Sequence, residues 1–197
     1  MLATSRYTAC GGYSTTEEGR RRATPGDEAG VPDDRGGGRL SPVLGSLHDM
    51  AIHLENVGIA VRDINASIAF FTDLGLTLAG RDTVSGEWAD TAVGLDGNHA
   101  KIAVLNTPDG QGQLELFEYI HPDAIETEPT LPNEIGMHRV AFSVDNIDDA
   151  LATAAKHGCF PLRGVANYEG IYKLSYVRGP SGIIVMFAQD LRKNPES

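Results

Sequence analysis

Cysteine is almost missing from this chain. Cys10 and Cys159 are the two among 197 residues, they stand in unrelated surroundings, and no disulfide framework follows from them. A reducing cytoplasm is the compartment that this usage implies. Positive charge is also scarce: 16 Lys and Arg against 27 Asp and Glu give a net charge of −11, which opposes binding to a nucleic-acid backbone or an anionic membrane. No apolar run approaches the roughly eighteen residues that a membrane helix needs. The N-terminal residues are polar and Gly-rich, without the apolar centre of a signal peptide. There is no Gly-x-Ser-x-Gly turn and no Cys–His arrangement with supporting context, so nothing speaks for nucleophilic catalysis. Gly36-Gly37-Gly38 follows no strand and opens no helix, so it is not a phosphate loop. What is present is a 41% apolar fraction in a length that suits one domain plus a tail.

Residues 1–48 hold Gly11-Gly12, Arg20-Arg21-Arg22 and the triple glycine, with scattered Pro, Ser and Thr and no apolar periodicity. Such a segment cannot bury enough apolar surface to offset its ordering entropy, and it reads as a disordered tail. A solvated charge run is the expected role of the three arginines. Met50 is an alternative start, which would make the tail an upstream extension.

The rest of the chain is organised around Asn56 to Gly75, because that stretch occurs twice. With Asn56 placed over Arg139, an offset of 83 residues holds without a gap for twenty positions. Val57 falls on Val140, Ile59 on Phe142, Asp63 on Asn146, Ile64 on Ile147, Ile68 on Leu151 and Gly75 on Gly158. A repeat dictates architecture, and two copies at this spacing predict a duplicated module folded as one pseudo-symmetric domain.

Within each copy the periodicity changes once. Val57, Ile59 and Val61 alternate with Asn56, Gly58 and Ala60, which predicts a strand over 52–61. Asp63 is a good N-cap. Ile64, Ile68 and Phe71 then form one helical stripe, and Gly75 ends the helix. Strands are expected at 76–84, 100–105 and 113–120, with Trp88 to Leu95 ambiguous between loop and short helix. Asp96-Gly97 and Pro108-Asp109-Gly110 are turn signals. The second copy reads as strand 138–144, N-cap Asn146, helix 147–157, and strands near 162–168, 171–177 and 183–188, with the turn Gly179-Pro180-Ser181-Gly182. The fold class is therefore α+β: two tandem βαβββ modules, 50–121 and 136–191, joined by a linker 122–135 that holds three prolines, with a frayed tail at 192–197.

Strand alternation turns spacing into geometry. The helix stripe must cover Val57, Ile59, Val61, Leu114 and Leu116, so Asn56, Gly58, Ala60, Glu115 and Phe117 face the other, concave side. In the second module the same logic sends Arg139, Ala141, Ser143 and Met186 to the concavity. One extra residue after the first turn places Glu115 over Met186. Pseudo-twofold pairing would bring Asn56, Glu115, Arg139 and Met186 toward one centre, with small residues leaving room for a ligand.

The segments NVGIAVRDINASIAFFTDLGL, PDGQGQLELFE, HRVAFSVDNIDDALATAAKHG and GPSGIIVMF resemble the vicinal oxygen chelate superfamily. That superfamily includes glyoxalase I, extradiol dioxygenases, methylmalonyl-CoA epimerase and the fosfomycin and bleomycin resistance proteins. The resemblance spans about 52–190 and implies a glyoxalase-like, cup-shaped half-barrel pair. It also implies homodimers as the common state. Its members usually carry His or another ligand at the place of Asn56, Glu at Glu115, His at Arg139 and Glu or a similar donor at Met186, around a metal ion.

Of these, only Glu115 is a good ligand here. Asn56 is a weak carbonyl donor, the Arg139 guanidinium has no lone pair, and the Met186 thioether is soft. The expectation is no tightly bound metal at this centre and no cofactor. Should a divalent ion (Mn, Fe, Ni or Zn) be present, Glu115 and His138 are the plausible donors. By alternation His138 belongs with Val140 on the helix side, as a structural or rim histidine, unless a one-residue bulge reverses it. His121 is in phase with the concave face and could line its mouth, a loop histidine being the expected role, whereas His53 and His99 have no special spacing.

An Arg139–Glu115 ion pair across the cup is expected to replace the metal. It either satisfies two buried charges or binds a ligand oxygen through Arg139, with Glu115 as a possible catalytic base. Tyr168, Glu169 and Tyr172 cluster at a turn and, with Trp88, are candidates to cap a ligand, core packing being the alternative for each aromatic. The leading reading is a small-molecule-binding protein with a degenerate metal site, which sequesters a small organic ligand or acts on it without metal. A metal-dependent lyase, isomerase or dioxygenase is the second reading, and a non-catalytic dimerisation module the third. Neither nucleic acid nor membrane is an expected partner.

Overall fold

In a computed structural model, residues 53–193 are described, and the expectations for residues 1–48 and 194–197 lie outside them. Contact density separates a unit at 50–197, and both modules belong to it. The first comprises β1 (Val57–Ala60), α1 (Ile64–Asp73), β2 (Thr77–Ser85), α2 (Glu87–Val93), β3 (His99–Asn106) and β4 (Gln113–His121). The second comprises β5 (Val140–Ser143), α3 (Ile147–Lys156), β6 (Ala166–Tyr168), β7 (Tyr172–Arg178), a 3-10 turn (Pro180–Gly182) and β8 (Ile184–Asp190). The stretch left ambiguous after Gly86 is helical, α2, and Gly94 closes it in the left-handed conformation at φ 72°. β6 is a three-residue strand rather than one beginning at Leu162.

Each module is one four-stranded sheet. The orders are β1-β4-β3-β2 and β5-β8-β7-β6, which is the same order twice. β1 runs parallel to β4 and β5 parallel to β8, and the other pairings are antiparallel. The register confirms the inferred equivalence. Gly58 lies opposite Glu115, and Ala141, its counterpart 83 residues on, lies opposite Met186.

The helix starts repeat as closely. Asp63 accepts from the amides of Asn65 and Ala66, and Asn146 accepts from those of Asp148 and Asp149. Both caps are extended, with φ near −135° and −138°. A further acceptor comes from the last strand of each sheet: Ile64 N–H donates to Glu118 Oε2 at 2.9 Å, and Ile147 N–H to Gln189 Oε1 at 3.1 Å. Every amide exposed by starting a helix needs such a partner. Replacing Asp63 or Asn146 with alanine is expected to cost about 1 kcal/mol each, read by urea denaturation. Equal stability of Asp63→Ala and wild type would show that Glu118 alone suffices at α1.

Burial follows the alternation. Ile59, Val61, Leu114 and Leu116 are buried beneath α1, while Ala60 on the other face is exposed. The two modules do not keep separate interiors. Ile64, Ile68, Phe70 and Phe71 share one apolar cluster with Ile147, Val177, Val185 and Phe187. The Phe71 ring lies 6.2 Å from Phe142 of β5, and Phe70 meets His157 edge-on at 5.7 Å. His157 Nε2 also bonds Asp73 at 2.8 Å, which ties the C-terminal ends of α1 and α3 together.

Candidate functional site

The concave residues are positioned by the two parallel strand pairs. Asn56 stands two residues before Gly58, so its side chain falls in phase with Glu115 on the neighbouring strand. Its amide Nδ2 donates to Glu115 Oε2 at 3.2 Å. Arg139 stands two residues before Ala141 and is in phase with Met186. Its Nε donates to the Met186 sulfur at 3.0 Å. The four side chains inferred from the repeat thus meet as two equivalent pairs, one per module.

The expected ion pair between them is absent. Among the described residues, no carboxylate lies within ion-pair distance of Arg139. Arg139 is held instead by neutral groups. Beyond the Met186 sulfur, its Nη1 donates to His138 Nδ1 at 2.6 Å, and its guanidinium carbon lies 5.1 Å over the Tyr176 ring. Tyr176 lies opposite Met186 in the β7–β8 ladder, so it shares that face. A guanidinium is weakly hydrated enough to lie over an aromatic ring, and the ring face attracts its charge.

His138 is a correction to the sequence reading. It does not point to the helix side; its ring is on Arg139 and meets Tyr176 at 5.5 Å. The ladder of β5 begins at Val140, so strand alternation does not govern residue 138. Because guanidinium only donates, Nδ1 accepts and Nε2 carries the hydrogen. Nε2 is buried and without a partner among the described residues. His121 also departs from its expected phase. The β3–β4 register slips between His99 and Ala100, so that residue 121, not 120, pairs with His99.

Phe117 takes its expected place across from Ala60, stacked on Tyr119 at 6.4 Å, and one of its ring carbons lies 3.5 Å from where a side chain at Gly58 would begin. The other aromatics stand farther out. Trp88 is 65% exposed on α2, beyond β2, the strand most distant from β1 in its sheet. Tyr168 is 56% exposed on β6, the strand farthest from β5. It pairs across the hairpin with Tyr172, and Glu169 and Gly170 form the turn with φ of 51° and 68°. Tyr172 is engaged by Asp190 and by Arg192, whose guanidinium lies 5.2 Å over its ring. Arg192 also holds the Asp190 carboxyl well below the usual carboxylate range.

Tyr176 is the residue that sequence reasoning missed. The signal was available: Tyr172, Leu174 and Tyr176 alternate along β7, and Tyr176 falls opposite Met186 once β7 and β8 are joined by their short turn.

The donor set does not suit a hard divalent ion. Arg139 has no lone pair and occupies the Met186 sulfur and His138 Nδ1, leaving Glu115 and the weak amide oxygen of Asn56 as the hard donors of the four positions. Among the described residues no three His, Cys, Asp or Glu side chains gather as a metal site.

With two copies of one βαβββ unit and paired concave residues at equivalent positions, the fold and site define a class. The family model described as Glyoxalase/Bleomycin resistance protein/Dioxygenase superfamily matches residues 53–187, and the chain belongs to that superfamily. It is similar to the crystal structure of a glyoxalase family protein from Bacillus cereus, at 35% identity and a TM-score of 0.70 over 73% of this chain and 97% of that one. It is also similar to the YwbC protein of Bacillus subtilis (strain 168), 29% identical over 71% of this chain and 99% of that protein. A glyoxylase/bleomycin resistance protein/dioxygenase domain from Frankia sp. EAN1pec shares the fold at 18% identity, with a TM-score of 0.52 over 71% of this chain and 93% of that one. No described helix is long and apolar enough to cross a membrane.

Proposed function

We propose that this chain binds a small organic molecule carrying an anionic or carbonyl oxygen on its concave faces, with Arg139 as the recognising group and without a metal ion. The observation that carries this reading is the state of Arg139. Its Nε and Nη1 are occupied by a sulfur and an imidazole, and its guanidinium carbon lies over the Tyr176 ring. Its charge has no counterion among the described residues. Three neutral contacts preorganise the guanidinium and leave Nη2 to donate to a ligand. Glu115, oriented by Asn56, is the complementary acceptor in the other module. Tyr176, Phe117 and Tyr119 supply aromatic surface for the ligand's apolar part.

The test is calorimetric titration of phenylpyruvate, an aromatic oxo acid, into wild type and Arg139→Ala. A charged hydrogen bond is worth about 1.5–3 kcal/mol, so the variant is expected to bind at least about tenfold more weakly. Equal affinities would remove Arg139 from the site. Elemental analysis of protein purified without chelator tests the other half of the reading. One equivalent of Mn, Fe, Ni or Zn, lost in Glu115→Gln, overturns it in favour of a metal-dependent lyase, isomerase or dioxygenase.

A homodimer is part of this reading. Each four-stranded sheet leaves edge strands, and such edges invite a second chain. Light scattering checks it. The free thiol of Cys159 suits a reducing compartment, the cytoplasm.

A further inference from the structure

A cavity of about 770 Å³ lies at the seam between the modules; Ala141 and Ser143 of β5 reach it, but Asn56, Glu115, Arg139 and Met186 are not part of its lining. One wall is the C-terminal end of α1 and the turn 107–112, and the other is β5 and the first turns of α3. Its origin is a divergence between the two copies. At the equivalent seam on the other side, Arg62 N–H donates to Ser181 Oγ at 2.9 Å, and Phe70 is fully buried. By the 83-residue offset Arg62 corresponds to Asp145 and Phe70 to Thr153, and alignment of Pro180 with Pro108 makes Ser181 correspond to Asp109. One seam is therefore filled by a phenyl ring and latched by a hydrogen bond. The other has a threonine in place of the ring and two carboxylates in place of the latch.

The lining has two parts. Leu74, Leu76, Phe142 and Phe187 give it an apolar floor, and Asp73, Asp109, Asp145 and Asp149 give it a carboxylate rim. Asp73 is engaged by His157. Asp109 accepts from the Thr107 hydroxyl and the Gln111 amide, which hold its carboxyl below the usual range and so keep it charged. Asp145 and Asp149 have no cationic partner among the described residues, and no lysine, arginine or histidine lines the cavity. We propose that this seam cavity is a binding site for a small organic cation with an apolar body. The volume lies in the range of small-molecule sites, and apolar walls with a few placed charges are their usual make-up. A bare metal ion would leave the apolar floor unused.

The experiment titrates benzyltrimethylammonium into the full-length protein at low salt, with phenylacetate as the anionic control of similar shape. Saturable binding of the cation and none of the anion at this site is expected. Thr153→Phe, which copies the filled seam, is expected to abolish binding. Asp145→Asn with Asp149→Asn, both on the exposed rim, should weaken it by about tenfold or more without changing the melting temperature. Glu115→Gln should bind the cation as wild type does. Absence of saturable binding to wild type overturns the proposal, as does unchanged affinity in the Asp145→Asn/Asp149→Asn protein. Loss of binding in Glu115→Gln would assign the cation to the concave face instead and equally overturn it. None of these outcomes depends on whether Arg139 binds an oxo acid.

Discussion

Phe71→Ala is expected to destabilise the domain by about 3–5 kcal/mol, the usual cost of removing a buried phenyl ring and leaving its cavity. The ring is fully buried, meets Phe70 edge-on at 5.0 Å, and lies 6.2 Å from Phe142 of the other module. It cannot be lost by one half alone, because the apolar cluster that it belongs to draws on both helices and on β8. The loss should therefore appear as one cooperative transition displaced to lower urea, not as early melting of the first module. Circular dichroism and the fluorescence of Trp88 give two probes, and Trp88 reports on the first module. Two separate transitions, or a loss below about 1 kcal/mol, would contradict a shared interior.

The second large effect is expected at Gln189. Its side chain is 4% exposed and accepts the amide of Ile147, itself fully buried. Gln189→Leu keeps the volume and leaves that N–H without an acceptor, which should cost about 1–3 kcal/mol. Glu118 has the corresponding duty at Ile64, with one difference, since its other oxygen holds Lys101. Lys101, and then the Ile64 amide, keep the Glu118 carboxyl below its ordinary range. The sign follows. A depressed carboxyl stabilises the fold at pH above the ordinary carboxylate value, and that contribution is lost as pH falls through the depressed one. Glu118→Gln, which copies the second module, should flatten the acid limb of a stability-versus-pH curve while keeping the acceptor. Superimposable acid limbs in wild type and variant would reject this role.

Much of the architecture was legible because it was written twice. Asp63 and Asn146, Gly75 and Gly158, and the alternation through Ile59 and Phe142 each had a second copy to check the assignment. The placement of Glu115 and Met186 in equivalent registers needed only one extra residue in a turn. What was not legible depended on where ladders start and slip. His138 was assigned by alternation although the β5 ladder begins two residues later. His121 was assigned by counting across a break in register. The Arg139–Glu115 pairing was inferred from charge, but each of these side chains found its partner within its own module, a neighbour two positions out of line on the adjacent strand. Tyr176 was overlooked because its role exists only once β7 lies beside β8. The seam cavity was invisible for the same reason, though the substitutions that create it were present in the aligned repeat.

The apolar interior shared by the two copies has an evolutionary corollary. A lone ancestral unit would have presented the ring equivalent to Phe71 and the underside of its helix to water, with nothing to cover them. Such a peptide would have been obliged to associate with its twin before any gene fusion joined the pair. What is now the middle of one polypeptide is, on that view, an old subunit boundary, and the residues on either side of it have been free to diverge ever since.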